Sequence, residues 1–139
     1  MRISPLDFIR SAEKMLEIDL EINDRNAASR AYQGAYHACK QLKNALDLKP
    51  LTTAPEQEES PKNLARSLIQ IPLPRCKNQH WDRTIQIRQL GHLLSNARDM
   101  RHSADHDLDL AFSRKKALQL ILSCHQIVLR AEELLQELN

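Results

Sequence analysis

Apolar residues recur along the chain at alternating steps of three and four, the period of one face of an α-helix. Leu6, Ile9, Ala12, Leu16 and Leu20 trace the first such face and predict a helix over 5–22. Ser4 fits its N-cap, Pro5 its first helical position, and Asp7 closes a capping box. Ala31, Ala35, Ala38, Leu42 and Ala45 predict a second helix over 25–48, capped by Asn23 or Asp24 and stopped by Pro50. Alanines on that face let another helix approach closely. Tyr32, Tyr36, Cys39 and Leu46 form a neighbouring stripe. Ser60 and Pro61 open a short helix over 61–71, which Pro72 and Pro74 end. Ile87, Leu90, Leu94, Ala97 and then Arg101 share one face of a helix over 81–104. In the last helix, predicted over 114–138 with Ser113 as N-cap, Ala117, Ile121, Cys124, Val128, Ala131, Leu135 and Leu138 form an unbroken repeat. Leu118, Leu122 and Leu129 widen that face, so this helix is expected to meet more than one neighbour or a second subunit.

The stretches between are polar or rich in proline. Residues 49–60 hold Pro50, Pro55 and an acidic run and read as a loop, and 75–80 reads as irregular. Composition supports the helical reading. Two glycines, Gly34 and Gly91, are too few for a sheet-rich domain with its tight turns, or for a phosphate-cradling loop. The expected fold is all-α: one domain over 1–139, an antiparallel four-helix up-and-down bundle with one short extra helix. Aromatic residues make up 4% of the chain, so aliphatic side chains must fill the core. No apolar run approaches the ~18 residues of a membrane span, and the N-terminus turns polar too soon for a signal peptide. Three cysteines, Cys39, Cys76 and Cys124, are an odd number and suit reduced thiols in the cytoplasm.

Charge is uneven, although the formal net is only +2. Residues 75–116 carry nine Lys/Arg against five Asp/Glu, and also hold His80, His92, His102 and His106. Phosphate is the natural ligand for such a zone, and a solvated face is its plain alternative. A metal is not expected. Cys76 and His80 form a Cys/His pair with no second pair in phase, short of the about four ligands of zinc. Asp105, Asp107 and Asp109 lack the glycine and closing glutamate of a calcium loop and read as a helix-ending turn.

The segment with chemical promise is 98–109. Arg101 continues an apolar stripe, so its guanidinium points toward the helices or an interface, with Asp105 as its expected partner one turn on. His106 falls at the predicted helix end, where the backbone could turn its imidazole back toward Arg101. Such a pair could cleave RNA without metal. Histidine titrates near neutrality and can take the proton from a 2′-hydroxyl, whose oxygen then attacks the adjacent phosphate. Arginine stays charged and grips phosphate oxygens as negative charge builds. One histidine rarely serves as both base and acid, and a two-fold dimer would supply a second. The same residues also fit a structural role, with Arg101 paired to Asp105 and His106 as a helix cap. Spacing alone does not choose: Arg30/His37 and Arg75/His80 match it too.

Other residues could assist. Arg98 suits a phosphate contact or an ion pair with Asp105, and His102 follows it by one turn. Lys115 and Lys116 stand near a helix start, where the dipole disfavours cations, which suits a phosphate. Arg30, His37 and Gln41 form a polar stripe that lines a cleft or packs between helices. Tyr32 and Tyr36 are expected in the core, and His92 and His125 half-buried.

Two stretches together resemble the HEPN (higher eukaryotes and prokaryotes nucleotide-binding) superfamily. Residues 26–38, NAASRAYQGAYHA, are similar to the SRAYYAAFHA helix of small bacterial members. Residues 101–108, RHSADHDL, are similar to the Arg-x-x-Ala-Asp-Tyr/His ending of their penultimate long helix. The resemblance covers most of the chain. It implies a helical bundle that dimerises and, in catalytic members, a metal-independent endoribonuclease. Arg101 and His106 would be its catalytic pair and His102 the polar residue after the arginine. Many such proteins are toxins or defence effectors held by an antitoxin, often a minimal nucleotidyltransferase. His106 stands where many relatives carry Tyr, and Leu108 where relatives paired with nucleotidyltransferases carry one. The implied function is therefore a cytoplasmic, homodimeric RNA-cleaving toxin or defence effector. Its alternative is a non-catalytic adaptor that binds a nucleotidyltransferase or a nucleotide.

Overall fold

A computed structural model describes residues 3–18, 20–46, 60–73, 79–106 and 112–138, with 79 and 80 as backbone only. The loop expected at 49–60, except Ser60, lies outside these residues, as do Arg75, Cys76, Asp107, Leu108 and Asp109 and the side chain of His80. Five helices form: α1 (Pro5–Met15), α2 (Glu21–Ala45), α3 (Pro61–Ile69), α4 (Gln79–His106) and α5 (Arg114–Leu138). Among the described residues there is no strand, so the protein is all-α. No described helix is long and apolar enough to cross a membrane.

The caps follow the sequence. Ser4 Oγ accepts from the Asp7 amide at 3.3 Å, while Asp7 accepts from the Ser4 amide at 2.8 Å. Ser60 and Ser113 each accept an amide three residues on, from Asn63 at 3.2 Å and Lys116 at 3.1 Å. The α1–α2 boundary needs correcting. The helix expected over 5–22 stops at Met15, and the next starts at Glu21 rather than 25. Its N-cap is Leu20, which has no side-chain cap bond; neither Asn23 nor Asp24 caps it. Tertiary contacts set this start instead. Glu21 accepts the Phe112 amide at 2.7 Å, and buried Asp24 pairs with Arg114 at 3.6 Å. Leu20 is consequently exposed rather than in the α1 stripe.

α2 lies at the centre, packed against α1, α3, α4 and α5. Ala27, Ala28, Ala31, Ala35 and Ala38 are buried along it, which allows the close approach the sequence suggested, although Ala45 is exposed. Leu42, Leu90, Leu94, Leu120, Ile127 and Val128 supply most of the bulk around it. Two seams require glycine. A Cβ on Gly34 would stand 2.7 Å from the Pro5 carbonyl oxygen, and one on Gly91 would meet Ala65 and Ile69 of α3 at 2.9–3.0 Å.

Cys39 and Cys124 are free thiols buried on α2 and α5. Burial pushes the Cys124 thiol up to about 12, and burial, with Cys124 nearby, pushes Cys39 up as well. A raised thiol favours the protonated fold. Its contribution is intact below the unfolded value of about 8.5 and is lost as pH rises toward about 12. In a Cys76→Ser background, a thiol reagent is expected to label neither cysteine until denaturant is added, and the urea midpoint is expected to fall steadily above about pH 9. Rapid labelling of the native protein would contradict the packing of α2 on α5.

Candidate functional site

The site residues sit on the last turns of α4. At about 100° per residue, Arg98, His102 and His106 follow one edge of the helix, and Arg101 and Asp105 follow the next edge, toward α2. His102 and His106 are both exposed, their rings 4.5 Å apart between centroids. Arg98 lies one turn before His102 and pairs through Nη2 with Asp99 at 3.1 Å, not with Asp105.

Arg101 meets its expected partner. Its Nη1 donates to Asp105 Oδ2 at 3.0 Å, with both side chains about a quarter exposed. The guanidinium also lies over the Tyr32 ring, 5.3 Å from its centroid. That is a cation–π contact on a residue the sequence assigned only to the core. Asp105 additionally accepts from Ser29 Oγ at 3.4 Å, which ties the end of α4 to α2. Burial pushes the Tyr32 phenol well above its ordinary range, against the pull of Arg101 and Arg98. The Tyr32 hydroxyl and the Nε atoms of Arg98 and Arg101 are buried and have no hydrogen-bond partner among the described residues.

The expected convergence of His106 on Arg101 within one chain does not occur. α4 runs through His106 instead of stopping at 104, and five residues of helix place two side chains about 140° apart. His106 therefore rests on His102. Lys116 lines a shallow groove with Asp99, Met100, Ser103, Phe112 and Gln119, beside the site edge of α4. Lys115 is exposed on a different edge of α5. Arg30 is half-buried, and His37 stacks on Phe8 with centroids 5.3 Å apart, so that part of the polar stripe packs α1 on α2. His125 is half-buried as expected, whereas His92 is exposed.

Arg30 lines a cleft of about 230 Å³ on the far side of Asp105, one of the two roles expected of its stripe, together with Met15, Asn26, Ser29 and Gln33, which sequence reasoning did not place there. The polar positions 26, 29, 30 and 33 were the available signal, at helical spacing on a face next to the alanine stripe. Among the described residues, no three of His, Cys, Asp and Glu gather as a metal set.

An arginine clamp holds these turns in place. Buried Arg25 donates through Nη1 to the Ala104 carbonyl at 2.8 Å, satisfying an acceptor in the last turn of α4. Its guanidinium also lies 5.5 Å from the Phe112 ring centroid. Arg114 donates to the Leu16 carbonyl and pairs with Asp24. Arg25→Met is expected to lower stability by about 1–3 kcal/mol, because it removes a buried, charge-assisted bond. Urea titration checks this; an unchanged midpoint would mean the clamp carries no load.

No family model matches this chain, and no curated protein and no solved structure matches it.

Proposed function

We propose that this chain is a metal-independent endoribonuclease of the HEPN kind, folded as an antiparallel four-helix up-and-down bundle with α3 as the extra helix. In this reading it is a cytoplasmic toxin or defence effector. RNA is its substrate, a homodimer its working form, and a minimal nucleotidyltransferase the type of its antitoxin. One observation carries the reading: two exposed imidazoles, His102 and His106, lie against each other, with Arg98 one turn away on their own edge and Arg101 on the adjacent edge.

The chemistry follows from that arrangement. His106 takes the proton of a ribose 2′-hydroxyl. The freed oxygen attacks the neighbouring phosphorus, and the bond to the 5′-oxygen breaks. His102 gives that leaving oxygen a proton. Arg98 and Arg101 hold the non-bridging oxygens as charge accumulates, and Lys116 extends the cationic track beside them. Asp105 is a positioning residue: it orients Arg101 and does not touch substrate. Base and acid then both come from one protomer, so the second copy is not needed to complete the pair.

A non-catalytic adaptor is the second reading. The observation favouring it is that Arg101 is already engaged by Asp105 and Tyr32 within the chain. Incubating purified protein with total RNA in excess EDTA separates the two. Fragments made by wild type and not by a His102→Ala/His106→Ala variant support the nuclease. Intact RNA, or equal cutting by both proteins, refutes it.

A further inference from the structure

We infer that the outer face of α5 is a docking surface for a second copy of this chain, joined antiparallel about a two-fold axis between residues 123 and 124. The inference rests on the homodimer proposed above, for which it names a surface, and not on RNA cleavage.

It rests first on exposure. Leu118, Leu122 and Leu129 were expected to widen the apolar face of α5 toward a further neighbour or a second subunit, and within one chain they are 45%, 62% and 43% exposed. The core side of the helix is occupied by Ala117, Leu120, Ile121, Cys124, Ile127 and Val128 instead. Scattered exposed leucines need no explanation. These three are not scattered. With His125 between them they step 4-3-4, the seam of two helices packed knobs-into-holes, and the seam covers under half of the helix circumference.

Charge then selects the occupant. Extending the same steps by one place each way reaches Lys115 at the start and Glu132 at the end. The seam therefore reads Lys115, Leu118, Leu122, His125, Leu129, Glu132, and it complements itself when reversed. Across an antiparallel two-fold, Lys115 meets Glu132, Leu118 meets Leu129, and Leu122 meets His125, each pair occurring twice. A parallel pairing would set Lys115 against Lys115 and Glu132 against Glu132, which like-charge repulsion disfavours. An isologous interface needs one patch that fits itself, and this patch does. Within one chain Lys115 and Glu132 are about 25 Å apart at 1.5 Å per residue, so they cannot serve each other.

The pairing also places the sites. Lys116, beside the site edge of α4, would lie about 22 Å along the helix axis from its own copy. Each protomer would then work with its own His102 and His106.

Sedimentation equilibrium on the full chain over a range of concentrations tests this. Wild type is expected to reach the dimer mass. Leu122→Glu, at the most exposed of the three leucines, is expected to stay a monomer with an unchanged helical content. Lys115→Glu is expected to weaken the dimer at least tenfold, and Lys115→Glu/Glu132→Lys to restore it. In a Cys76→Ser background, a mixture of Leu118→Cys and Leu129→Cys chains is expected to form a mixed disulfide on air oxidation, whereas Leu118→Cys alone does not. A wild type that remains monomeric at every concentration, a dimer indifferent to Leu122→Glu, or a charge swap that fails to rescue would each overturn the proposal. These readouts are masses and crosslinks, so they stand or fall separately from RNA cleavage.

Discussion

Replacing His106 with alanine is expected to slow RNA cleavage by about 10²–10⁴-fold, the usual contribution of a positioned acid or base. His106 is exposed and its ring touches only His102 among the described contacts. The fold should therefore be unaffected, with stability within about 0.5 kcal/mol of wild type. His102→Ala is expected to cost a similar factor, and the double variant little more than either single one, because the two act as a unit. Arg101→Ala is expected to cost about 10²–10³-fold, the typical loss of one donor to a developing oxyanion. Lysine should not restore it. A point charge cannot hold Asp105 and a phosphate oxygen with the fixed fork of a guanidinium. Single-turnover rates on a short RNA in EDTA measure all five variants, with melting temperatures recorded alongside. A His106→Ala enzyme as fast as wild type would remove the catalytic role of α4's last turns.

The largest effect on stability is expected at Gly34. Glycine inside a helix costs about 1 kcal/mol relative to alanine, so its presence in the middle of α2 needs a reason. The reason is the α1 crossing: an added Cβ would lie 2.7 Å from the Pro5 carbonyl oxygen and 3.0 Å from Phe8 Cβ. Neither atom is the far end of a flexible side chain. Gly34→Leu is expected to push α1 off α2, uncover Ile9 and Ala12, and destabilise by about 3 kcal/mol or more, the upper range for overpacking. Gly34→Ala should lose less, since part of its clash is offset by helix propensity. Urea unfolding of both variants, with exposed Gln33→Ala as control, provides the comparison. Equal midpoints for all three would mean that α1 does not seat there.

Much of the fold was legible in the sequence because it is local. The α5 bounds and the caps at Ser4, Ser60 and Ser113 depend on residues three or four apart, and they stand where the pattern put them. The Arg101–Asp105 pair is local in the same sense. The break between α1 and α2 was expected, but its position was not legible. Leu16 and Leu20 keep the helical period, no glycine or proline marks a stop, and the start of α2 is fixed by Phe112 and Arg114, about ninety residues away. The candidate site was legible in its residues and not in its geometry. Aspartates after 104 suggested a turn, whereas the helix continues to His106 and so pairs the two histidines with each other. The cation–π contact on Tyr32 joins α2 to α4, and spacing within one helix carries no sign of it. The α5 leucines show the same limit. Periodicity revealed that the helix is apolar on much of its surface, but only packing decides which stripe faces inward.

The central claim is that α4's arginines and histidines drive attack of a 2′-hydroxyl on the adjacent phosphate. The chemical ends of the fragments test it most directly. RNA cut by the purified protein in EDTA should carry 2′,3′-cyclic phosphates on the upstream pieces and 5′-hydroxyls on the downstream ones, and should stay whole with the His102→Ala/His106→Ala variant. Fragments ending in 3′-hydroxyl and 5′-phosphate, or RNA left uncut by the wild type, would contradict it.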